Sequence, residues 1–128
     1  MPSTWIATGE WINGREGEMI EAVQAALVAC LKLPDWDREI VLDTYPDTRR
    51  IAPTGRSERY TRIEITLFAG RTMDAKRALY REIVDRLGPF GVPGDQIKIT
   101  LIEVPLENWG LRGGIPASEL DLGIKIDV

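Results

Sequence analysis

The apolar positions of this chain follow two different periods, that of a strand and that of a helix, and the order strand, helix, strand occurs twice. In residues 16–33 apolar side chains recur every three or four positions with alanines between them, which predicts a helix. Runs of apolar and β-branched residues at 3–7 and 38–45 predict a strand on each side. Pro34 ends the predicted helix, because proline cannot supply the N–H of a further turn.

The second half of the chain repeats this order. Residues 60–69 alternate in the strand pattern, residues 72–87 have helical spacing with Thr72 as the N-cap, and residues 97–104 predict a fourth strand. The Gly-Arg pairs that end at Arg15 and Arg71 are 56 residues apart. The prolines that follow the two helices, Pro34 and Pro93, are 59 apart, so the second copy has an insertion of three residues. We interpret the pattern as an internal repeat.

The repeat predicts one domain of the mixed α/β (α+β) class. It consists of a first β-α-β unit at 1–46, a linking loop at 47–59 and a second unit at 60–128 that includes a Gly-rich turn region. Each unit requires parallel strands with a right-handed crossover, which gives a four-stranded sheet with both helices on one face. Alternation in residues 122–128 predicts a final strand. The other sheet face is expected to be apolar and uncovered, which favours an oligomer.

Composition excludes several classes of function. A net charge of −4 gives no field to hold nucleic acid or an anionic membrane. With no histidine and only one cysteine, Cys30, we expect no zinc or haem site, no histidine-based triad and no cofactor. Cys30 lies in an apolar helical stretch and is interpreted as a structural thiol, as in a reducing, cytoplasmic setting. No signal peptide or membrane span is predicted.

Three residues suggest acid–base chemistry on an anion. Pro2 becomes a secondary amine if the initiator Met1 is removed; an apolar pocket with cations would lower the amine pKa toward neutrality. The alternative is that Pro2 is present only because methionine removal tolerates it. Arg71 stands at a strand-to-helix turn, where free N–H groups favour an anion and a guanidinium can hold a carboxylate. Arg15 is its counterpart in the first unit.

Four segments of the second unit, residues 67–72, 76–80, 99–103 and 108–118, carry a pattern that resembles subunits of 4-oxalocrotonate tautomerase. The duplicated length and residues 33–38 are more similar to the malonate semialdehyde decarboxylase group of the same superfamily. The resemblance implies a tautomerase-like fold, an amino-terminal proline that acts as base, acid or nucleophile, and assembly of duplicated chains as a homotrimer.

The resemblance also implies roles for particular residues. Pro2 matches the catalytic proline, Arg71 the arginine that holds the substrate carboxylate, and Trp109 an aromatic wall of the proline pocket. Asp37 matches an aspartate that positions or activates water, although it is equally compatible with a turn at a strand start. Arg112 is an addition to the tautomerase pattern that offers a second anion contact. Tyr60 and Arg62 begin the third strand, where Pro2 stands in the first unit, and either line the pocket or are sheet residues.

These observations predict an enol–keto tautomerase that acts on a small carboxylate-bearing substrate. Lys98 stands in place of an arginine of the tautomerases, and Ala69 in place of an arginine of the decarboxylase group, which disfavours decarboxylation and hydration. Decarboxylase or dehalogenase–hydratase activity carried by Asp37 remains an alternative. A non-catalytic binding module is another, because a retained Met1 would turn the Pro2 nitrogen into an amide, and because the β-α-β-β-α-β order also occurs in regulatory domains.

Overall fold

The computed structural model describes residues 1–123 and confirms the repeated order of elements. The first unit consists of β1 (Ser3–Gly9), α1 (Glu16–Leu31) and β2 (Ile40–Tyr45). The second consists of β3 (Thr61–Phe68), α2 (Met73–Leu87) and β4 (Ile97–Val104). A short hairpin of β5 (Gly110–Leu111) and β6 (Ile115–Pro116) follows. The strand predicted at 122–128 lies almost wholly outside the described residues.

The four long strands form one sheet in the order β2-β1-β3-β4. Within each unit the two strands are parallel, as predicted, whereas the units join through an antiparallel pairing of β1 with β3. Ser3 therefore lies opposite Thr66 at one end of the sheet, and Ala7 lies opposite Arg62 toward the other. This pairing places the start of the chain beside the end of β3, which decides where the site forms.

Both helices pack on one face of the sheet and enclose the core. Side chains with almost no exposed surface meet there from the sheet and from both helices, among them Ile6, Ile63, Val23, Leu27, Leu79 and Ile83. Thr72 caps α2 as predicted, since its side chain accepts a hydrogen bond from the Ala75 N–H. Helix α1 ends at Leu31, two residues earlier than predicted, because Lys32 takes a left-handed conformation with φ of 57°.

The open face of the sheet is mixed in character, so the prediction of an apolar face was wrong. Alternation along the strands places Trp5, Val41 and Ile102 on this face among the charged side chains of Arg62 and Glu64, which form an ion pair. Val41 and Ile102 are nevertheless 56% and 42% exposed. The face therefore carries apolar side chains within a polar surrounding rather than a continuous apolar surface.

Two further features, a membrane-spanning helix and a metal-binding cluster, are absent from residues 1–123. None of the helices in this part of the chain is long and apolar enough to cross a membrane. The same residues contain no cluster of three or more histidine, cysteine or acidic side chains that is close enough to hold a metal ion.

Candidate active site

One end of the sheet collects four segments that are distant in sequence. The start of β1, the turn before β2, the end of β3 and the hairpin after β4 all meet there, because β1 and β3 run in opposite directions. A cavity of about 220 Å³ opens between them. It is lined by Met1, Pro2, Ser3, Trp36, Asp37, Arg38, Glu39, Trp109 and Leu111. Pro2, Asp37 and Trp109, predicted separately from the sequence, are thus brought together.

Asp37 is a buried carboxylate that faces the amino end of the chain. Only 5% of its surface is exposed, and its Oδ2 lies 3.3 Å from the amino nitrogen of Met1. A turn places it there: the Asp37 N–H donates to the Pro34 carbonyl, and the buried Gln24 side chain donates to the Asp37 carbonyl at 3.1 Å. A buried carboxylate needs a compensating charge, and here the α-amino group supplies it.

The surroundings of this amino group change its acidity. Burial lowers the pKa of the Met1 amine below its usual value, because the cavity wall replaces the water that stabilises an ammonium ion. The negative charge of Asp37 acts against this effect, and the positive charge of Arg71 adds to it. The net result is an amine that gives up its proton more readily than an exposed one.

Arg71 lies behind the cavity wall rather than on it. Its exposed fraction is 7%, and its Nη1 donates to the Leu31 carbonyl at 2.6 Å, at the last residue of α1. Since it contributes to the pKa of the Met1 amine, it lies close enough to act on charges in the cavity. The turn that carries Arg71 begins at Gly70, whose φ of 121° is readily available only to glycine.

The hairpin supplies an aromatic wall. Trp109 packs edge-on against Phe68 with ring centroids 4.9 Å apart, and its indole N–H donates to the Val104 carbonyl at 3.1 Å. These two contacts fix the ring at the cavity. Arg112, in contrast, is exposed at the tip of the hairpin, donates to the Asp121 carbonyl and is not part of the cavity wall.

Two other predicted residues lie at the opposite end of the sheet. Arg15 precedes α1, where it pairs with Glu18 at 2.9 Å and stacks on the Phe90 ring at 4.5 Å. Tyr60 precedes β3, next to Thr61, whose hydroxyl meets that of Thr8 at 2.9 Å. Within one chain neither residue contributes to the cavity around Pro2.

Sequence reasoning missed several residues that shape the cavity, among them Trp36, Arg38 and Gln24. Trp36 and Arg38 flank Asp37 and line the opening, and Arg38 is hydrogen-bonded to Glu21 of α1. Gln24 holds the backbone of the Asp37 turn from within α1. The sequence did contain a signal for Gln24, because it stands among alanines on an otherwise apolar helix face. A buried side-chain amide requires a hydrogen-bond partner.

Comparisons with known proteins identify a family and several solved structures that are similar to this chain. A family profile described as "Tautomerase enzyme" matches residues 37–112. A probable tautomerase of Ralstonia nicotianae is 37% identical over 57 residues, which are 44% of this chain and 80% of that protein. The crystal structure of FG41 malonate semialdehyde decarboxylase inhibited by 3-bromopropiolate has a TM-score of 0.79 at 28% identity, over 94% of this chain and 98% of that one. A symmetric trimer of wild-type fused 4-OT has a TM-score of 0.76 at 21% identity, over 91% and 95%.

Proposed function

Because this chain belongs to the tautomerase family, we propose that it converts the enol form of a small carboxylic acid into the keto form without a cofactor. The amine of Pro2, freed by removal of Met1, is the proposed base. One observation carries the proposal: Pro2 lines a cavity at the amino end of the chain, where the Met1 nitrogen lies 3.3 Å from the buried carboxylate of Asp37. Most chain termini are exposed, so a terminus held inside a cavity requires an explanation.

The proposed base benefits from the surroundings already described for Met1. Pro2 is itself buried and lines the same cavity, so its amine would experience similar desolvation and the same charge of Arg71. Both effects favour the neutral amine, which is the form that accepts a proton. Asp37 would hold the resulting ammonium in place. Trp109 would keep water from the nitrogen.

In the proposed reaction each proton moves only between the substrate and the amine, so no other proton donor or acceptor is needed. The amine takes the proton of the enol hydroxyl while the C=C bond shifts to form the C=O bond. The ammonium then gives a proton to the carbon that has gained electron density, so the enzyme is regenerated and the product is an isomer of the substrate. No electron acceptor or second substrate is required.

Two cations are available for the substrate carboxylate. Arg71 is the proposed anchor, because its charge already acts on the amino group from behind the wall. Arg38 lines the opening and is the second candidate, held by Glu21. The guanidinium of Arg38, which lines the opening, can donate hydrogen bonds to a carboxylate. The charge of Arg71 would add an attraction through the wall, and together the two would orient the enol toward the amine.

The test compares Pro2→Ala with Pro53→Ala, an exposed proline of the linking loop. Intact mass first establishes that Met1 is absent from each protein. Ketonisation of a 2-hydroxydienoate is then followed by ultraviolet absorbance. We expect kcat/KM to fall by about 10²-fold or more in Pro2→Ala, the size of effect typical of a lost general base, and to stay unchanged in Pro53→Ala. Full activity of Pro2→Ala, or of protein that retains Met1, would refute the proposal and favour a binding module.

Decarboxylation is the second candidate, and burial of Asp37 beside the amino group favours it. A carboxylate at this place can position a water molecule or stabilise an ammonium intermediate. Malonate semialdehyde is the informative substrate, with carbon dioxide release as the measurement. Release that depends on both Asp37 and Pro2, faster than any ketonisation, would assign the chain to this reaction instead.

A further inference from the structure

Helix α1 places one buried amide among its apolar side chains, that of Gln24, which is 4% exposed. Its Nε2 donates to the carbonyl oxygen of Asp37 at 3.1 Å. We propose that Gln24 is a positioning residue of the active site, whose amide fixes the turn of residues 34–37 so that the Asp37 carboxylate faces the amino end of the chain. The inference deepens the proposed function, and its kinetic part rests on that function.

The last residue of this turn has both of its backbone polar groups engaged. The Asp37 N–H donates to the Pro34 carbonyl at 3.0 Å, and the Asp37 carbonyl accepts from Gln24. The Cα of Asp37 lies between two planar peptide groups, so these hydrogen bonds fix the direction in which its side chain leaves the backbone. That direction brings Oδ2 to 3.3 Å from the Met1 amino nitrogen. Without Gln24 the carbonyl end of the turn would lose its hydrogen-bond donor.

The turn region is joined to α1 on the outside of the protein as well as on the inside. On the outside Arg38 donates to Glu21, and these side chains are 49% and 61% exposed. Such a pair contributes little, because water competes for both charges. Gln24 stands three residues further along α1, on the same side of the helix, and its hydrogen bond is buried. Loss of a buried donor leaves its acceptor without a partner, so the position of the turn depends mainly on Gln24.

The second unit contains a turn with the same backbone closure but a different support. Gln96 is also buried, and its N–H donates to the Pro93 carbonyl at 2.9 Å, as the Asp37 N–H does to Pro34. The side-chain Oε1 of Gln96 accepts from the Ser57 N–H at 2.7 Å, so the linking loop holds this turn. Gln96 is therefore a matched reference for Gln24, because it is a buried glutamine of an equivalent turn at the end of the sheet that has no chain terminus.

The acidity of the amine reports where the carboxylate points. Burial lowers the pKa of the amine, the charge and hydrogen bond of Asp37 raise it, and the charges of Arg71 and Glu39 lower and raise it to a smaller extent. Arg38 also lines the cavity and is paired with Glu21. A turn released from α1 would let the Asp37 carboxylate move toward water. The amine would then lose its main negative neighbour, so its pKa should fall, as it should in Asp37→Asn.

The test compares Gln24→Met with Gln96→Met, because each replaces a buried amide by an apolar side chain of similar length. Intact mass first establishes which residue carries the terminal amine, and urea denaturation establishes that each variant is folded. The pKa of the amine is then read from the pH dependence of reductive methylation with ¹³C-formaldehyde. We expect this pKa to be lower than in the parent protein in Gln24→Met and unchanged in Gln96→Met. Gln24→Asn, whose amide is one methylene too short to reach the Asp37 carbonyl, should behave as Gln24→Met does and replaces it if the methionine variant does not fold.

A double-mutant comparison separates positioning of the carboxylate from a general loosening of the structure. In the Asp37→Asn background, Gln24→Met should have no further effect on the pKa of the amine, because no carboxylate is left to position. An unchanged pKa in the folded Gln24 variants overturns the proposal. So does a shift of the same size with and without the Asp37 carboxylate, since it would come from altered burial alone.

Activity gives a second readout and keeps the inference apart from the proposed function. If Pro2 is the base, kcat/KM for ketonisation should fall about tenfold in Gln24→Met, as for a misplaced charge in the site, and stay unchanged in Gln96→Met. A lower pKa of the amine with unchanged kcat/KM would overturn the kinetic part of the inference. Full activity of Pro2→Ala would instead refute the proposed function, whereas the position of the Asp37 carboxylate is decided by the pKa of the amine.

Discussion

At the scale of single residues, burial and two opposite charges act on one amino group in the cavity around Pro2. Burial has the largest effect and favours the neutral form, Asp37 favours the ammonium form, and Arg71 favours the neutral form. Neither charge is at the surface, so water screens both of them weakly. The acidity of the amine should therefore respond to each residue separately and in opposite directions.

This balance predicts the sign of two pKa changes. Removing positive charge in Arg71→Gln should raise the pKa of the terminal amine, and removing negative charge in Asp37→Asn should lower it. The pKa is measured from the pH dependence of reductive methylation with ¹³C-formaldehyde, which reads the amine whether or not the enzyme turns over. Arg15→Gln, at the counterpart position in the first unit, is the control and should leave the value unchanged. Shifts of the same sign in Arg71→Gln and Asp37→Asn would contradict this account.

At the scale of elements, the turn before α2 fixes both the start of the helix and Arg71, the proposed anchor for the substrate carboxylate. Thr72 caps the helix, and Arg71 directly precedes it. In the first turn of α2, Lys76 forms an ion pair with Glu103 of β4, with 2.6 Å between Nζ and Oε1. Capping and this ion pair hold the first turn of α2 against the sheet.

Loss of the cap should be measurable. We expect Thr72→Ala to lower the free energy of unfolding by about 1 kcal/mol, because the Ala75 N–H loses its acceptor. Thr48→Ala, at an exposed position of the linking loop, is the comparison and should be close to neutral. Denaturation in urea gives both values. An equal effect of the two changes would mean that the hydrogen bond contributes nothing specific.

The ion pair predicts a pH dependence of stability. The hydrogen bond from Lys76 holds the pKa of Glu103 below its usual range, so the pair stabilises the fold above the unfolded-state pKa and loses this effect as the pH falls through the folded-state pKa. Because Glu103 is partly exposed, we expect Glu103→Gln to cost at most about 1 kcal/mol at pH 7. The difference from the parent protein should vanish at low pH in urea titrations. A cost that persists under acid would point to packing instead.

The elements were predictable because each is encoded locally. Spacing of apolar residues marked both helices and all four long strands, and Pro34 and Thr72 marked boundaries within two residues. The site was predictable only in part. Asp37, Pro2 and Trp109 meet because β1 pairs antiparallel with β3, and no local pattern specifies which strands of two units become neighbours. For the same reason Arg15 and Tyr60 were associated with a cavity that lies at the other end of the sheet.

At the scale of the whole molecule, the open sheet face is the surface most suited to assembly. Trp5, Val41 and Ile102 lie on it, and the last two are substantially exposed. Solved structures with the same fold include trimers of fused 4-OT chains, and we propose that this chain also forms a trimer through this face. Its charged residues would then have to find partners in the interface, since buried unpaired charges are costly.

A charge at the centre of an apolar contact should weaken such an assembly. We expect the parent protein to sediment with the mass of three chains and Ile102→Lys to shift toward a single chain. Ala78→Lys, an exposed change on the solvent side of α2, should leave the mass unchanged. Sedimentation equilibrium distinguishes these cases. A trimer that survives Ile102→Lys would place the contact on another surface.

The duplicated chain has a consequence for stoichiometry. The strands β1 and β3 begin at equivalent places at opposite ends of the sheet. A chain has only one amino terminus, however, and it lies at the start of β1. A chain of two β-α-β units therefore has one terminal amine for two units, and on the proposal that Pro2 is the base, the second position has no requirement for proline. A mechanism-based label directed at the terminal amine should saturate at one equivalent per chain, and an assembly of three chains should contain three reactive ends and three inert ones.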